Sequence, residues 1–212
     1  ASDMAGLKAE EAKAEAAYRA AAEKLSKTRA GVAADLGKAV TTAMQDLSMA
    51  GGRFEIALRP CEPAAFGLEQ VEFLVAGHAG SAVRPLAKVA SGGELARISL
   101  AISVIASSAT ATPTLIFDEV DSGIGGGVAE VVGRLLKRLG QDRQVLCVTH
   151  LPQVASQANQ HFQVSKEARG DRTVSRIDAL DAKARVEEVA RMLGGIEITA
   201  TTRKHARELL AS

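Results

Sequence analysis

Leu7, Glu11, Ala14, Tyr18, Ala21, Leu25, Thr28 and Val32 recur at alternating steps of four and three. That is the period of a helix that pairs along its length with another helix, here through a small, Ala-rich seam interrupted by one charge. The segment is rich in Ala, Glu, Lys and Arg and holds no Pro, so intrinsic propensity agrees with the pattern. Two arrangements fit it: an amphipathic surface helix, or one arm of a coiled coil whose partner strand lies outside this sequence. Gly31 and Gly37 loosen the period. Val32, Leu36, Val40, Met44 and Leu47 then continue it about once per turn, as in a helix that docks on a globular body. Gly51-Gly52 ends it.

The period then changes to two. Phe54, Ile56 and Leu58 alternate with polar residues, and so do Val71, Phe73 and Val75. These predict two strands, over 53–59 and 70–76, pairing antiparallel across a turn-rich loop from Pro60 to Gly67. From Ser91 the character changes again. Ser91-Gly92-Gly93-Glu94 opens an apolar helix to about Ser108, with Ser91 as N-cap and Glu94 completing a capping box. Thr114–Phe117 and Gln144–Val148 are short apolar strands, the kind found in parallel sheets covered on both faces. Gly125-Gly126-Gly127 leads into a helix to about Leu139, and Pro152 is placed to begin another. His161–Lys166 and Thr173–Ile177 predict a hairpin around Arg169-Gly170-Asp171. Asp181–Leu193 and Thr199–Leu210 predict two closing helices around Gly194-Gly195. Strand–helix alternation makes the class α/β.

Composition narrows the functions open to such a fold. The chain has 212 residues, 47% hydrophobic and 24% charged, with a formal net charge of +1. The balance is even along the chain, so no segment has the basic excess that by itself marks a nucleic-acid binder. Aromatic residues are 3%, with one Tyr and no Trp, too few for a platform that stacks single-stranded bases. Cys61 and Cys147 stand far apart without a CxxC, which argues against a disulfide framework or zinc site and for a reducing compartment. The charged first residues do not form a signal peptide. No apolar run approaches the ~18–20 residues of a membrane span.

Four elements carry candidate chemistry. Asp118-Glu119 closes an apolar strand, where two carboxylates are costly unless they work on something. One can hold Mg²⁺ through water, and the next, across the pleat, can orient and deprotonate a water. The two glycines of Ser91-Gly92-Gly93-Glu94 let backbone amides approach a phosphate at a helix start. Thr149-His150 follows the other apolar strand, at the same sheet edge as the acids. The loop Val120-Asp121-Ser122-Gly123-Ile124-Gly125 follows the acids and can reach a neighbouring subunit. Each has a plain structural reading alone: acids ending a strand, a glycine-rich cap, a structural histidine, an ordinary loop.

Their order is more telling, with Ser91 27 residues before Asp118 and His150 32 residues after it. The arrangement resembles the C-terminal half of an ABC-type ATPase head: signature motif, Walker B, D-loop and H-switch. Glu94 and Asp118-Glu119-Val120-Asp121 resemble the SMC-like branch. The segments Ala87–Arg97, Thr114–Gly126 and Thr149–Ala155 are similar to the RecN family of bacterial SMC-like DNA double-strand-break repair proteins.

The resemblance implies an α/β fold: the C-terminal lobe of a P-loop ATPase head, its mainly parallel sheet flanked by helices, with an N-terminal coiled-coil helix. Residues 1–50 would be the return helix and its docking segment, and 51–212 the lobe. It implies ATP and Mg²⁺ as cofactors. Asp118 would assist Mg²⁺ binding, Glu119 would activate the hydrolytic water and His150 would sense the γ-phosphate. Ser91, Gly92, Gly93 and Glu94 would meet ATP held by the other head of a homodimer, and Ser122 and Gly123 would belong to the D-loop. Double-stranded DNA and its ends would be the substrate, and a cytoplasmic, nucleoid-associated location would follow.

Two departures stand out. Gly125 occupies the place where ABC heads usually carry the D-loop Asp. No G-x-x-x-x-G-K-S/T occurs, Gly31 to Gly37-Lys38-Ala39 being a near miss inside helical sequence. In SMC-like proteins that motif belongs to an N-terminal lobe beyond the coiled coil. The chain therefore looks like a fragment that needs that lobe as partner and alone hydrolyses little ATP. Arg169, Arg172, Arg176, Arg203, Lys204 and Arg207 suit either DNA phosphates or a solvated face. Two rivals stay open: another SMC- or ABC-class head (chromosome-organising or transporter), against which Glu94 and Leu151-Pro152-Gln153-Val154-Ala155 speak, and a non-catalytic interaction module, against which Glu119 speaks.

Overall fold

Ala-rich sequence without Pro runs as one helix, α1 (Ser2–Gln45), straight through Gly31 and Gly37. The computed structural model describes residues 2–89, 91–106, 112–169, 172–194 and 197–211. They divide into two compact units, one holding α1 with residues 49–89 and the other holding residues 46–48 with the chain from residue 91 onward.

In the first unit, α1 packs along the antiparallel strands β1 (Arg53–Ala64) and β2 (Gly67–Ala76), followed by the short β3 (Arg84–Pro85), in the order β1-β2-β3. Arg53 pairs with Ala76, and the ladder holds to Pro60 opposite Glu69. The segment from Pro60, expected as loop, continues as strand because an irregularity between Pro60 and Ala64 absorbs the prolines, which cannot donate to a ladder. Tyr18 binds the hairpin tip. Its hydroxyl donates toward the carbonyls of Ala64 (2.9 Å) and Gly67 (3.0 Å) and accepts from the Ala64 amide (3.0 Å). Farther along, Thr41 Oγ1 accepts from the Phe54 amide at 2.9 Å, and a β-carbon on Gly37 would touch the Phe54 carbonyl at 3.4 Å. Val40, Met44, Phe54 and Val75 are buried, whereas Leu7, Leu25 and Val32 of the heptad series stay exposed.

The second unit begins with α2 (Gly92–Ile105). β4 (Thr114–Phe117) leads through α3 (Gly126–Leu139) to β5 (Gln144–Cys147), which pairs with β4 in parallel, Ile116 opposite Leu146. α4 (Pro152–Ser156) follows, with Pro152 in its first turn. The hairpin of β6 (Phe162–Arg169) and β7 (Arg172–Ala179) and the helices α5 (Ala182–Gly194) and α6 (Ala200–Ala211) complete it. α3 buries Ala129, Val132, Gly133, Leu136 and Leu139. Gly133 is needed there, since a β-carbon would stand 2.9 Å from Gln157 Cγ and 3.1 Å from the Gln153 carbonyl on the α4 side. α5 and α6 close on Val189, Ala190 and Ala206. The expected helix end near Ser108, the turn at Gly170-Asp171 and Gly195 lie outside the described residues.

The apolar strands depart from expectation in one respect. Phe117 is buried, but Ile116 is 70% exposed, Val148 is 64% exposed and Leu146 is also exposed. Among the described residues the parallel pair is thus covered on one face only. Val164 and Ile177, cross-strand partners in the β6–β7 hairpin, are likewise open to solvent. Among the described residues no helix is long and apolar enough to cross a membrane.

Candidate functional site

Each piece of the candidate site sits at the end of an element, where backbone groups are left over for other partners. Ser91 is the N-cap of α2 and accepts a bond from the Glu94 amide (3.3 Å), forming the Ser91 half of the expected capping box. Asp118 and Glu119 follow β4 and are exposed. Asp118 Oδ1 accepts from the Glu119 amide at 2.9 Å, and Glu119 takes a left-handed conformation, φ 58°. A non-glycine residue held there stores local strain, a feature that clusters at functional sites. The turn continues with the Ser122 amide donating to the Glu119 carbonyl at 3.0 Å.

That conformation brings the acids against the α2 start. A β-carbon on Gly92 would collide with Glu119 Oε2, so the carboxylate lies directly against the glycine. A β-carbon on Gly93 would stand 2.9 Å from the Ser122 carbonyl oxygen. The same carbonyl accepts from Arg97 Nη1 at 2.8 Å, so α2 and the loop after Glu119 are tied together. Arg97 is 5% exposed and its Nε has no partner. Burial holds its guanidinium below the ordinary range, against the opposing pull of Glu94.

His150 reaches the site from the β5 end. Val148 extends the parallel pairing by donating to the Phe117 carbonyl at 3.0 Å. Two residues on, the imidazole is 72% exposed, while its Nδ1 lies 3.3 Å from Oδ2 of Asp121, a side chain only 3% exposed. Burial, then Asp121 and Asp118, push the nearby Cys147 thiol up to about 12. Gly123 and Gly125 have open space where a side chain would be, and Gly125 is the N-cap of α3.

The structure therefore links Ser91, Gly92, Gly93, Glu94, Asp118, Glu119, Ser122 and His150 through a chain of local contacts. In this conformation the Gly92 face is taken by the chain's own Glu119. The sequence placed Asp121 in the loop and in the Asp118-Glu119-Val120-Asp121 run, and Arg97 in the Ala87–Arg97 segment, but assigned neither a role. The available signals were a further acid two residues after Glu119 and a lone cation among the apolar residues of α2.

Among the described residues no group of three or more His, Cys, Asp or Glu gathers as a metal cage. Mg²⁺ does not require one, since it commonly takes one or two carboxylates and fills its shell with phosphate oxygens and water. Exposed Asp118, with Oδ1 on the Glu119 amide and Oδ2 remaining, fits that mode. Three of the basic residues singled out from the sequence have acidic neighbours. Arg176 pairs with Asp178 (2.8 Å), Arg203 with Glu187 (2.9 Å) and Lys204 with Glu208 (4.0 Å).

The chain is 50% identical over 196 residues to the DNA repair protein RecN of Xylella fastidiosa, covering 91% of this chain and 35% of that protein. It is 46% identical over 195 residues to the DNA repair protein RecN of Vibrio cholerae, with the same coverage, 91% and 35%. The Smc head domain of Pyrococcus furiosus, solved with an extended coiled coil and bound to the C-terminal domain of ScpA, shares the fold. Its TM-score is 0.60 at 22% identity, over 92% of this chain and 46% of that one. No family model matches the sequence. The chain spans about a third of the length of the curated relatives it matches. Over that span the chain is similar in sequence to RecN proteins and in fold to an Smc head domain.

Proposed function

We propose that the chain is the signature- and Walker B-bearing part of a DNA-repair ATPase head of RecN type. ATP-driven pairing of heads and hydrolysis would be coupled to DNA binding and to the holding of double-strand ends. In this reading residues 1–50 form the return helix of a coiled coil and its docking segment, and 51–212 form the ATPase lobe. A lobe carrying Walker A, from the same protein, covers the open face of Ile116, Leu146 and Val148. The observation that carries the proposal is the convergence of the Ser91-Gly92-Gly93 cap, Glu119 and the His150-bearing loop at the ends of α2, β4 and β5.

Bound Mg²⁺–ATP would supply the scissile phosphate and a concentration of charge that calls for ligands from two faces. Asp118 would hold the cation through Oδ2. Glu119 would orient a water and take its proton at the carboxylate. His150, with Nδ1 turned to Asp121, would offer Nε2 to the terminal phosphate. Ser91, Gly92, Gly93 and Glu94 would present the α2 start to a nucleotide on the other head, once Glu119 swings off Gly92. Ser122 and Gly123 would lie in the loop between heads.

Mixing the chain with the separately prepared remainder of the protein tests this. The chain alone is expected to turn over little ATP and the mixture to gain turnover that Glu119→Gln removes. A mixture whose turnover ignores Glu119→Gln overturns the assignment.

A further inference from the structure

The strongest unassigned feature is a buried carboxylate that the proposed chemistry does not use. Asp121 lies between the Walker B acids and α3 and is 3% exposed. Burying a carboxylate is costly unless its oxygens are satisfied. Here one oxygen does the whole task. Oδ2 accepts from the Thr149 hydroxyl at 2.5 Å and from the His150 amide at 3.0 Å, and it lies 3.3 Å from His150 Nδ1. Thr149 Oγ1 in turn accepts from the Leu151 amide at 3.0 Å, which sets the chain for α4. The backbone of His150 is thus held, and its ring closely approached, by a residue 29 positions earlier.

The other flank of Asp121 is held as well. Ser122, its neighbour, is gripped by Arg97 of α2 and closes a turn back onto Glu119. The Ile124 amide closes a second turn onto the Asp121 carbonyl at 3.4 Å. One short turn therefore joins the backbone at Glu119 to the carboxylate beside His150.

The geometry points to Asp121 as the positioning residue of the site. It fixes the orientation of His150 and couples it to the loop that carries Glu119. This rests on the reading of the site as an ATPase head, and it adds a residue that acts on the reaction only through His150. A misplacement of a catalytic group by about 1 Å can cost on the order of 10²-fold in rate, so the coupling has a measurable consequence. A purely architectural Asp121 would instead lower stability and leave the rate of folded protein alone.

The test measures kcat and KM for ATP in the full-length protein. Its variants are Asp121→Ala, Asp121→Asn, His150→Ala and the double Asp121→Ala/His150→Ala, with Glu119→Gln as control. Asp121→Ala is expected to lower kcat by about 10²-fold with KM little changed. The double variant is expected to fall no further than His150→Ala, because the two residues act as a unit. Asp121→Asn keeps the shape and one acceptor without the charge, so its loss is expected nearer tenfold, charge-assisted bonds being roughly twice as strong as neutral ones. In ¹⁵N spectra of the 212-residue chain, Asp121→Asn is expected to move the ring nitrogens of His150 and leave those of His78, His161 and His205 in place. Unchanged kcat in both Asp121 variants, losses that multiply in the double variant, or unmoved His150 ring nitrogens overturn the proposal. Turnover insensitive to Glu119→Gln overturns the ATPase reading instead, and the ¹⁵N spectra still decide the Asp121–His150 relationship.

Discussion

The carboxylate of Glu119 occupies the place a β-carbon on Gly92 would need, while the backbone of Ser122 occupies that place at Gly93. The adjacent glycines therefore predict different outcomes. Gly92→Ala meets only the far end of a flexible side chain, so the melting temperature is expected to change little while Glu119 is displaced and ATP turnover of the full-length protein falls. Gly93→Ala meets a carbonyl oxygen 2.9 Å away that is held by Arg97. Overpacking of that kind costs roughly 1–3 kcal/mol, to be read from denaturant unfolding of the chain.

Ile116 should behave differently in the two settings. At 70% exposure, Ile116→Ser changes the stability of the 212-residue chain by less than about 0.5 kcal/mol. If a Walker A lobe covers that face, the same change removes a buried side chain in the full-length protein and costs about 2–4 kcal/mol. Paired denaturation curves check it, and equal small effects in both would show that the face stays open.

Tyr18→Phe removes the hydroxyl that accepts from the Ala64 amide and shares its one proton between the Ala64 and Gly67 carbonyls. The expected cost is about 1–3 kcal/mol. Hydrogen exchange should rise first at Ala64.

Acid should weaken the second unit in two stages. His161 is held below its ordinary 6.5 by burial and by Arg185, against Glu188. The unfolded chain then binds a proton that the folded chain refuses, so stability falls as pH drops below 6.5 toward the folded value. Glu188 is held below its ordinary 4.5, first by its hydrogen bond from Arg191, then by the charges of Arg191 and His161, with burial opposing. Its contribution is complete above 4.5 and is lost as pH falls through the folded value. Thermal melts across this range should show the upper stage vanish in His161→Gln and the lower one in Glu188→Gln.

What the sequence made legible was local. The Ser91 cap, Pro152 at a helix start, the alternation of Phe54, Ile56 and Leu58, and the order of glycine, acid and histidine motifs are short-range signals. Each needs only neighbouring residues to be read. The Arg97–Ser122, Gly92–Glu119 and Asp121–His150 relationships join segments 25 to 29 residues apart, and no period or cap encodes such packing. β1 outran its expected end because Pro60 and Pro63 suggested a loop, and the bulge that tolerates them is visible only in the ladder. Ile116 was expected to be covered because an all-apolar strand normally is. Among the described residues only one face of the β4–β5 pair is covered, and about two thirds of the length of the RecN relatives lies outside this chain.

The most direct measurement is single-turnover ATP hydrolysis by the full-length protein with Glu119 and with Gln in its place, alongside nucleotide binding. The account predicts that Glu119→Gln binds ATP as before and slows the chemical step by about 10²–10⁴-fold. An unchanged chemical step in Glu119→Gln would contradict it.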